Sequence, residues 1–279
     1  MYKKLDLPNY GFSSRLDEFF SNIKKYKKFY SAIESDYKSQ NFNYNGSKCD
    51  LNVISPLDIG SYCSVEDPVG ARINTLQNLY LSKTSYFADI LSDMRDEHKL
   101  LSCPSCGEDG SPNTLDHYLP KTIYPELSVC IYNLIPMCSK CQNEKSAEYK
   151  NADNKKIFFH PYYEDFYEDM YTVEITPSPS FRTPVFSLKI INSIPSDVKI
   201  MAESHFVNLK LSKRFYDFVS QTYITIFNNL MKGGIDVDLF LDMCIDMHSE
   251  KGINNWNVIL YKSIKMNRNL IKFILDSRT

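Results

Sequence analysis

Apolar residues recur at helical spacing from the beginning of the chain. Leu16, Phe19 and Ile23 follow an S-x-x-D capping signal that opens at Ser14. The pattern predicts an amphipathic helix over about 14–33. Its opposite face carries a run of lysines, which is typical of a solvated helix face and less often of a patch that contacts phosphate.

The next two segments differ in pattern. Residues from about 39 to 70 are rich in Asn, Ser, Asp, Gly and Pro, which predicts loop with short extended pieces. Residues from about 71 to 98 return to helical spacing through Ile73, Leu76 and Tyr80, and predict a second helix.

The C-terminal part of the chain changes from strand to helix pattern. Alternation over 171–175 and 185–191, with a Pro/Ser turn region between them, predicts two strands that could form a hairpin. Helical spacing over about 202–230, 236–249 and 254–275 predicts three further helices. The apolar stripe of the last one is assigned to core packing, and less often such a stripe binds a partner.

Composition favours a folded cytoplasmic protein. Of the 279 residues, 43% are hydrophobic and 24% are charged, which is close to average for globular domains and argues against global disorder. We find no secretory signal and no apolar run long enough to cross a bilayer, and therefore expect a cytoplasmic location without membrane association.

The charge balance bears on nucleic-acid binding. The formal net charge is −2, which argues against strong autonomous binding to a polyanion. A nucleic-acid-binding function would therefore need a local basic face or a partner protein.

Two C-x-x-C pairs carry the first chemical signal. Cys103 and Cys106 form one pair, and Cys138 and Cys141 form the other. A two-residue gap lets both sulfurs of a pair bind one ion, and two such pairs supply the four thiolates that a structural Zn²⁺ site takes. In a reducing compartment this spacing favours zinc over disulfides. The four remaining cysteines lack such spacing and are expected to be small buried hydrophobic residues.

Groups suited to phosphodiester hydrolysis lie between and just after these pairs. His117 can deprotonate water, and its neighbour Asp116 offers a hard oxygen ligand to a cation. Adjacent side chains of a regular strand point to opposite faces, so both can address one phosphate only from a bulge or a strand end.

The ordered set of the two cysteine pairs, Asp116-His117, Asn133 and Asn143 resembles the HNH endonucleases. The resemblance implies a β-hairpin followed by a helix around one catalytic Mg²⁺ or Mn²⁺. It assigns His117 as general base, Asp116 and Asn143 as ligands of the cation, and Asn133 as the residue that orients the histidine and steadies the loop. The third position often holds His in that family, and the amide oxygen of Asn143 suits magnesium or manganese.

Three further residues lie close in sequence to this set. Lys121 and Lys145 are candidates for phosphate contacts, although each could equally be a surface lysine. His160 lies in an aromatic segment, where it is either a packed histidine or a residue at the rim of the site.

The expected fold class is α+β, with a ββα-metal HNH core held by structural zinc and embedded in mainly helical terminal regions. The expected division is a helical region over 1–98, the nuclease core over 99–165, and a short hairpin with helices over 166–279.

Segments around Leu209–Arg214 and Gly252–Tyr261 are similar to the C-terminal regions of HNH nucleases of Septu-type bacterial anti-phage systems. This resemblance implies DNA as substrate and an ABC/SMC-like ATPase partner. RNA such as tRNA is an alternative substrate. A catalytically inactive, zinc-stabilised module that binds nucleic acid or protein is an alternative function. Self-association is left open as well.

Overall fold

The computed structural model describes residues 2–82, 85–165 and 168–278, and it is a mixture of helices and small sheets. This confirms the mixed class predicted from the pattern. Within the described residues the helices are α1 Phe12–Ser21, α2 Lys27–Gly46, α3 Val69–Leu81, α4 Ala88–Asp96, α5 Ser139–Lys145, α6 Ser196–Asn208, α7 Leu211–Met231, α8 Val237–Ser249, α9 Trp256–Met266 and α10 Arg268–Asp276. The strands are β1 Thr114–His117, β2 Leu134–Met137, β3 Tyr171–Pro177 and β4 Pro184–Ile190.

The chain divides into two compact units. Unit 1 comprises Met1–Lys4, Leu100–Ser111 and Asp165–Thr279, and unit 2 comprises Leu5–Lys99 and Pro112–Glu164. The three-region division at 98 and 165 stays a prediction.

The N-terminal helical pattern of unit 2 is interrupted where one helix was expected. Helix α1 ends at Ser21, and α2 begins after Tyr26, whose backbone is left-handed with φ 57°. Helix α2 then continues to Gly46, so the prediction of loop for residues 39–46 is wrong. The reason is that the side-chain N–H groups of the buried Gln40 and Asn41 find backbone acceptors: Gln40 donates to the Ser55 carbonyl, and Asn41 donates to the Tyr37 carbonyl.

The second predicted helix is also two helices. Helix α3 ends at Leu81, and α4 begins at Ala88, so the predicted span of about 71–98 is not one continuous helix. Residues 83 and 84 lie outside the described part of the chain.

In unit 2, two strands are followed by a short helix, in the order β1, β2, α5. Strands β1 and β2 pair antiparallel, with Asp116 opposite Ile135 and His117 opposite Leu134. Both strands are almost entirely buried, and α5 follows β2 directly. The short helix therefore begins beside the hairpin, because Cys138 links the two elements as the N-cap residue.

Unit 1 contains the second hairpin and the C-terminal helices. Strands β3 and β4 pair antiparallel, which confirms the predicted pair of strands. Helix α8 confirms the predicted helix over 236–249. The other two predicted helices are each broken once, at Lys210 with φ 48° and at Asn267, whose side chain caps α10 by accepting from the Leu270 N–H.

None of the helices within the described residues combines the length and apolar character that a bilayer crossing needs.

Candidate functional site

The four cysteines of the two C-x-x-C pairs converge. The sulfurs of Cys103, Cys106, Cys138 and Cys141 all lie within 4.8 Å of one another, and three of the four residues are buried. Thiolates around one zinc at about 2.3 Å stand about 3.8 Å apart, so this cluster is close to the spacing that Zn²⁺ requires. The donor set therefore fits a structural zinc ion.

Each cysteine pair lies on a tight turn. In the first, the Gly107 N–H donates to the Cys103 carbonyl at 2.8 Å, and Gly107 has φ 75°, a conformation that favours glycine. In the second, the Cys138 sulfur accepts from the Cys141 N–H at 3.5 Å at the start of α5. These turns direct both sulfurs of each pair to the same side.

The first turn is fixed by side chains from the helices of unit 1. The indole N–H of Trp256 donates to the Cys106 carbonyl, and the Nε2 of His205 donates to the Ser105 carbonyl at 2.5 Å. The Arg214 guanidinium donates to the Cys106 sulfur at 3.5 Å. A positive donor on a thiolate offsets part of the negative charge that four cysteines bring to a metal. No spacing rule links His205, Arg214 or Trp256 to the cysteines, so the sequence alone does not assign them to this turn.

His117 ends strand β1 and is oriented by a backbone group. Its Nε2 lies 2.9 Å from the Ser128 carbonyl and donates to it, which leaves Nδ1 as the basic nitrogen. Burial lowers the pKa of His117 to about 3, while the Ser128 carbonyl acts in the opposite direction and the Lys121 and Lys145 charges lower it further. The imidazole is therefore neutral and aligned. His117 is the last residue of β1, the kind of position that the sequence argument required, and its joint action with Asp116 stays a prediction.

Asn133 bridges the loop between the two strands. It is fully buried, its Oδ1 accepts from the Leu119 N–H at 2.7 Å, and its Nδ2 donates to the carbonyls of Leu119 at 2.9 Å and Leu127 at 3.3 Å. The side-chain amide thus binds the loop backbone. The contact that orients His117 comes from Ser128, the residue next to Leu127.

Helix α5 presents two polar side chains to Asp116. The Lys145 ammonium lies 3.0 Å from Asp116 Oδ2 and donates to the His117 carbonyl at 2.7 Å, and Gln142 forms a side-chain hydrogen bond with Asp116. Burial raises the pKa of Asp116, and the Lys145 and Gln142 contacts oppose that rise. Residues three apart share one face of a helix, so Gln142 and Lys145 face β1 together.

The remaining predicted residues of the site differ in exposure. Asn143 is exposed on α5, whereas Gln142, which sequence analysis did not select, contacts Asp116. Lys145 is 1% exposed and so belongs to the interior, not to the surface. Lys121 is half-buried, with its ammonium 4.6 Å from the Tyr80 ring centre, and that ring packs 4.5 Å from the His117 ring.

His160 lies in an aromatic cluster. It is fully buried, its Nε2 is 3.0 Å from the Tyr44 hydroxyl, and its Nδ1 accepts from the Tyr162 N–H. The rings of Tyr118 and Tyr163 each lie 4.3 Å from its ring. These are the contacts of a packed histidine.

The cysteines outside the cluster divide into two kinds. Cys49 and Cys130 are buried, as expected, and burial raises the pKa of each thiol to about 12. Cys63 and Cys244 are only half-buried, so the expectation of full burial is wrong for these two.

Part of the chain is similar to a known phage protein. The chain is 32% identical to protein ea31 of Escherichia phage lambda over 89 residues, which are 32% of this chain and 28% of the phage protein. The matched part thus spans well under a third of the phage protein's length. No protein-family model matches the chain. No solved structure matches it either.

Proposed function

We propose that the protein is a metal-dependent endonuclease of the HNH type. The observation that carries this proposal is the arrangement of His117 and Asp116 at the end of β1, in a β1–β2–α5 unit whose loop is bridged by Asn133. It supplies a neutral imidazole held by a backbone carbonyl and, one residue earlier in the same strand, a carboxylate, the two kinds of group that can deprotonate water and bind a cation.

The residues have distinct roles in this proposal. His117 accepts a proton from water at Nδ1, because Nε2 is held by the Ser128 carbonyl. Asp116 would hold the divalent cation together with an amide oxygen from α5. Asn143 was predicted to supply that oxygen, and the neighbouring Gln142, whose side-chain N–H bonds to Asp116, is the alternative. A bound Mg²⁺ or Mn²⁺ would stabilise the charge that develops on the phosphate oxygens. Lys121 is the remaining candidate for a phosphate contact.

DNA is the proposed substrate, with an ABC/SMC-like ATPase as partner in an anti-phage system. The acidic net charge of the chain supports the need for a partner, because the chain lacks the general positive charge that grips nucleic acid. RNA remains the alternative polymer, since cleavage by an activated water does not require a 2′-hydroxyl.

One observation favours a catalytically inactive, zinc-stabilised module as the second candidate. Asp116 already has a cationic partner in the buried Lys145, which competes with a metal for the carboxylate. This candidate predicts zinc and nucleic-acid or protein binding without strand cleavage.

Plasmid cleavage tests the proposal. Wild-type protein and His117→Ala are incubated with supercoiled DNA in magnesium, manganese or EDTA, with RNA in parallel. We expect metal-dependent nicking or linearisation that falls at least a hundredfold in the variant while its zinc content is unchanged. Equal cleavage by both proteins would refute the role of His117. If the folded, zinc-loaded wild type cleaves neither polymer, alone or with an ATPase that co-purifies with it, the second candidate is favoured.

A further inference from the structure

The hairpin of unit 1 has one closed edge and one open edge. In β3, the Val173 N–H donates to the Ser263 hydroxyl at 2.8 Å, and the Ile175 carbonyl accepts from the Asn267 amide at 2.9 Å. These backbone groups therefore point away from β4, and side chains of α9 and its C-terminal cap satisfy them.

The register fixes the direction of the backbone groups in β4. Leu188 stands opposite Val173, and Phe186 stands opposite Ile175. In an antiparallel pair, when one residue points its N–H and C=O outward, the residue directly opposite does the same. The N–H and C=O of Phe186 and Leu188 therefore point away from β3. Pro184 lies two residues before Phe186 in β4, so its backbone also points away from β3 and its missing N–H costs no bond to β3.

The outward groups of β4 are open to a partner strand. Within the described part of the chain, Phe186 and Leu188 make no hydrogen bond outside the pairing of β3 with β4. An exposed strand edge is a template for pairing with another extended segment.

A groove lies alongside this open edge. Its volume is about 550 Å³, with β4 on one side and helices α6 and α7 on the other. Its walls include Phe186, Leu188, Phe206, Phe215, Tyr216 and Val219. Phe186 and Leu188 are only half-buried, whereas Val173 and Ile175 of the same sheet are buried, so the sheet's inner face is uncovered on the β4 side.

We propose that this edge and groove bind an extended apolar segment of a partner protein by strand addition. The segment's backbone pairs with Phe186 and Leu188, and its alternate side chains enter the groove, as the two-residue period of a strand allows. Lys213, the charged residue among those that line the groove, already pairs with Asp217 at 2.6 Å, so the groove is matched to an apolar segment. The proposal stands apart from the nuclease assignment, because none of these residues belongs to the His117 site.

A single strand fits the groove better than a second copy of this chain. The groove is walled on both sides, and a second copy would bring its own α6 and α7 along with its β4. Pairing of two β4 edges is therefore treated as a competing outcome of the test.

The first arm of the test uses a displayed library of random 12-residue peptides, panned against the full chain. We expect enriched sequences that alternate apolar with polar residues. A synthetic copy of an enriched peptide should protect the amides of Phe186 and Leu188 from hydrogen exchange. N-methylation of the peptide amides on one edge should weaken binding at least tenfold, and methylation on the other edge should not.

The second arm uses variants of the protein. Ser212→Trp fills the groove from an exposed position of α7, and Leu188→Pro removes an outward N–H that β3 does not use. Each should weaken peptide binding at least tenfold with the fold retained, whereas Gln221→Trp, an exposed position of α7 outside the groove, should bind normally.

Three results would overturn the proposal. One is a library that enriches nothing for the wild type over Ser212→Trp. Another is a peptide that binds without regard to either N-methylation pattern. The third is a wild-type dimer that Leu188→Pro converts to a monomer, which would assign the edge to a second copy.

Discussion

The face that α5 turns toward β1 decides which amide can assist Asp116. Gln142 and Lys145 are one helical turn apart and both contact this carboxylate, whereas Asn143 is exposed. A shift of one residue along a helix rotates a side chain by about 100°. The resemblance pointed to this turn of the chain but could not resolve which of two adjacent amides faces inward.

This contact gives a prediction for cation binding. Gln142→Ala should weaken Mn²⁺ binding to the zinc-loaded protein by about tenfold or more, because it removes a polar group in contact with the carboxylate ligand. Asn143→Ala is the matched control and should change the affinity by less than about twofold. Titration followed by electron paramagnetic resonance measures both. The reverse order would restore Asn143 as the ligand.

Glu126 is a second residue whose environment has a measurable effect, because burial changes the pKa of its carboxyl. It is fully buried, and one of its oxygens accepts from the Leu57 N–H at 3.1 Å and from the Gln40 amide at 3.3 Å. The contact with the Leu57 N–H is a bond to backbone. Burial raises the pKa of Glu126 to about 7, against the action of these hydrogen bonds.

The raised pKa predicts the direction of a pH effect. Between about pH 4.5 and 7 the unfolded carboxyl loses its proton while the folded one keeps it. The folded state is therefore favoured below this window, and the advantage is lost as the pH rises through it. The contribution amounts to up to about 3 kcal/mol in the free energy of unfolding.

Urea unfolding at pH 5 and pH 8 tests this effect. Glu126→Gln keeps the shape and cannot ionise, so its free energy of unfolding should fall less between the two pH values than that of the wild type. The difference between the two falls should approach about 3 kcal/mol. Equal falls would mean that Glu126 ionises alike in the folded and unfolded states.

At the scale of elements, the periodic patterns located helices and strands better than they located breaks. The hairpin of β3 and β4 and helix α8 were predicted within two residues of their ends. The long helical patterns over 14–33, 202–230 and 254–275 each contain a break at which apolar spacing continues. The breaks depend on single backbone conformations, such as the left-handed Tyr26 and Lys210, which apolar periodicity does not encode.

Helix α2 shows the opposite error. Its last turns contain Gln40, Asn41 and Asn43, a composition that favours loops. The turns remain helical because Tyr37 and Tyr44 are buried on the same face and the buried amides find backbone carbonyls. Burial of the tyrosines thus overrides the local preference of the amides, and only tertiary contacts reveal it.

At the scale of the whole molecule, the cysteine spacing was the most informative sequence feature, because the chemistry of zinc requires four sulfurs at one point wherever the chain places them. The four sulfurs do converge. The side chains that support the first turn, from His205, Arg214 and Trp256, could not be assigned from sequence, since they lie about a hundred residues or more further along the chain.

This convergence predicts that zinc holds the native state together. Cys138→Ser removes one of the four thiolates, so the purified variant should lose most of its zinc and unfold at a clearly lower temperature, because binding free energy of a structural metal is folding free energy. Cys63→Ser is the matched control, since Cys63 is half-buried and lies outside the cluster, and its thiol donates to the Ile59 carbonyl, which a serine hydroxyl can also do.

Metal analysis and thermal unfolding of the two variants beside the wild type measure the effect. Wild type and Cys63→Ser should each hold about one zinc per chain, and chelation of that zinc should bring the wild type to the melting temperature of Cys138→Ser. A Cys138→Ser variant that keeps both its zinc and its melting temperature would exclude the four-cysteine site. Because His117→Ala leaves all four thiolates in place, it should retain zinc, and this separates loss of the scaffold from loss of the proposed base.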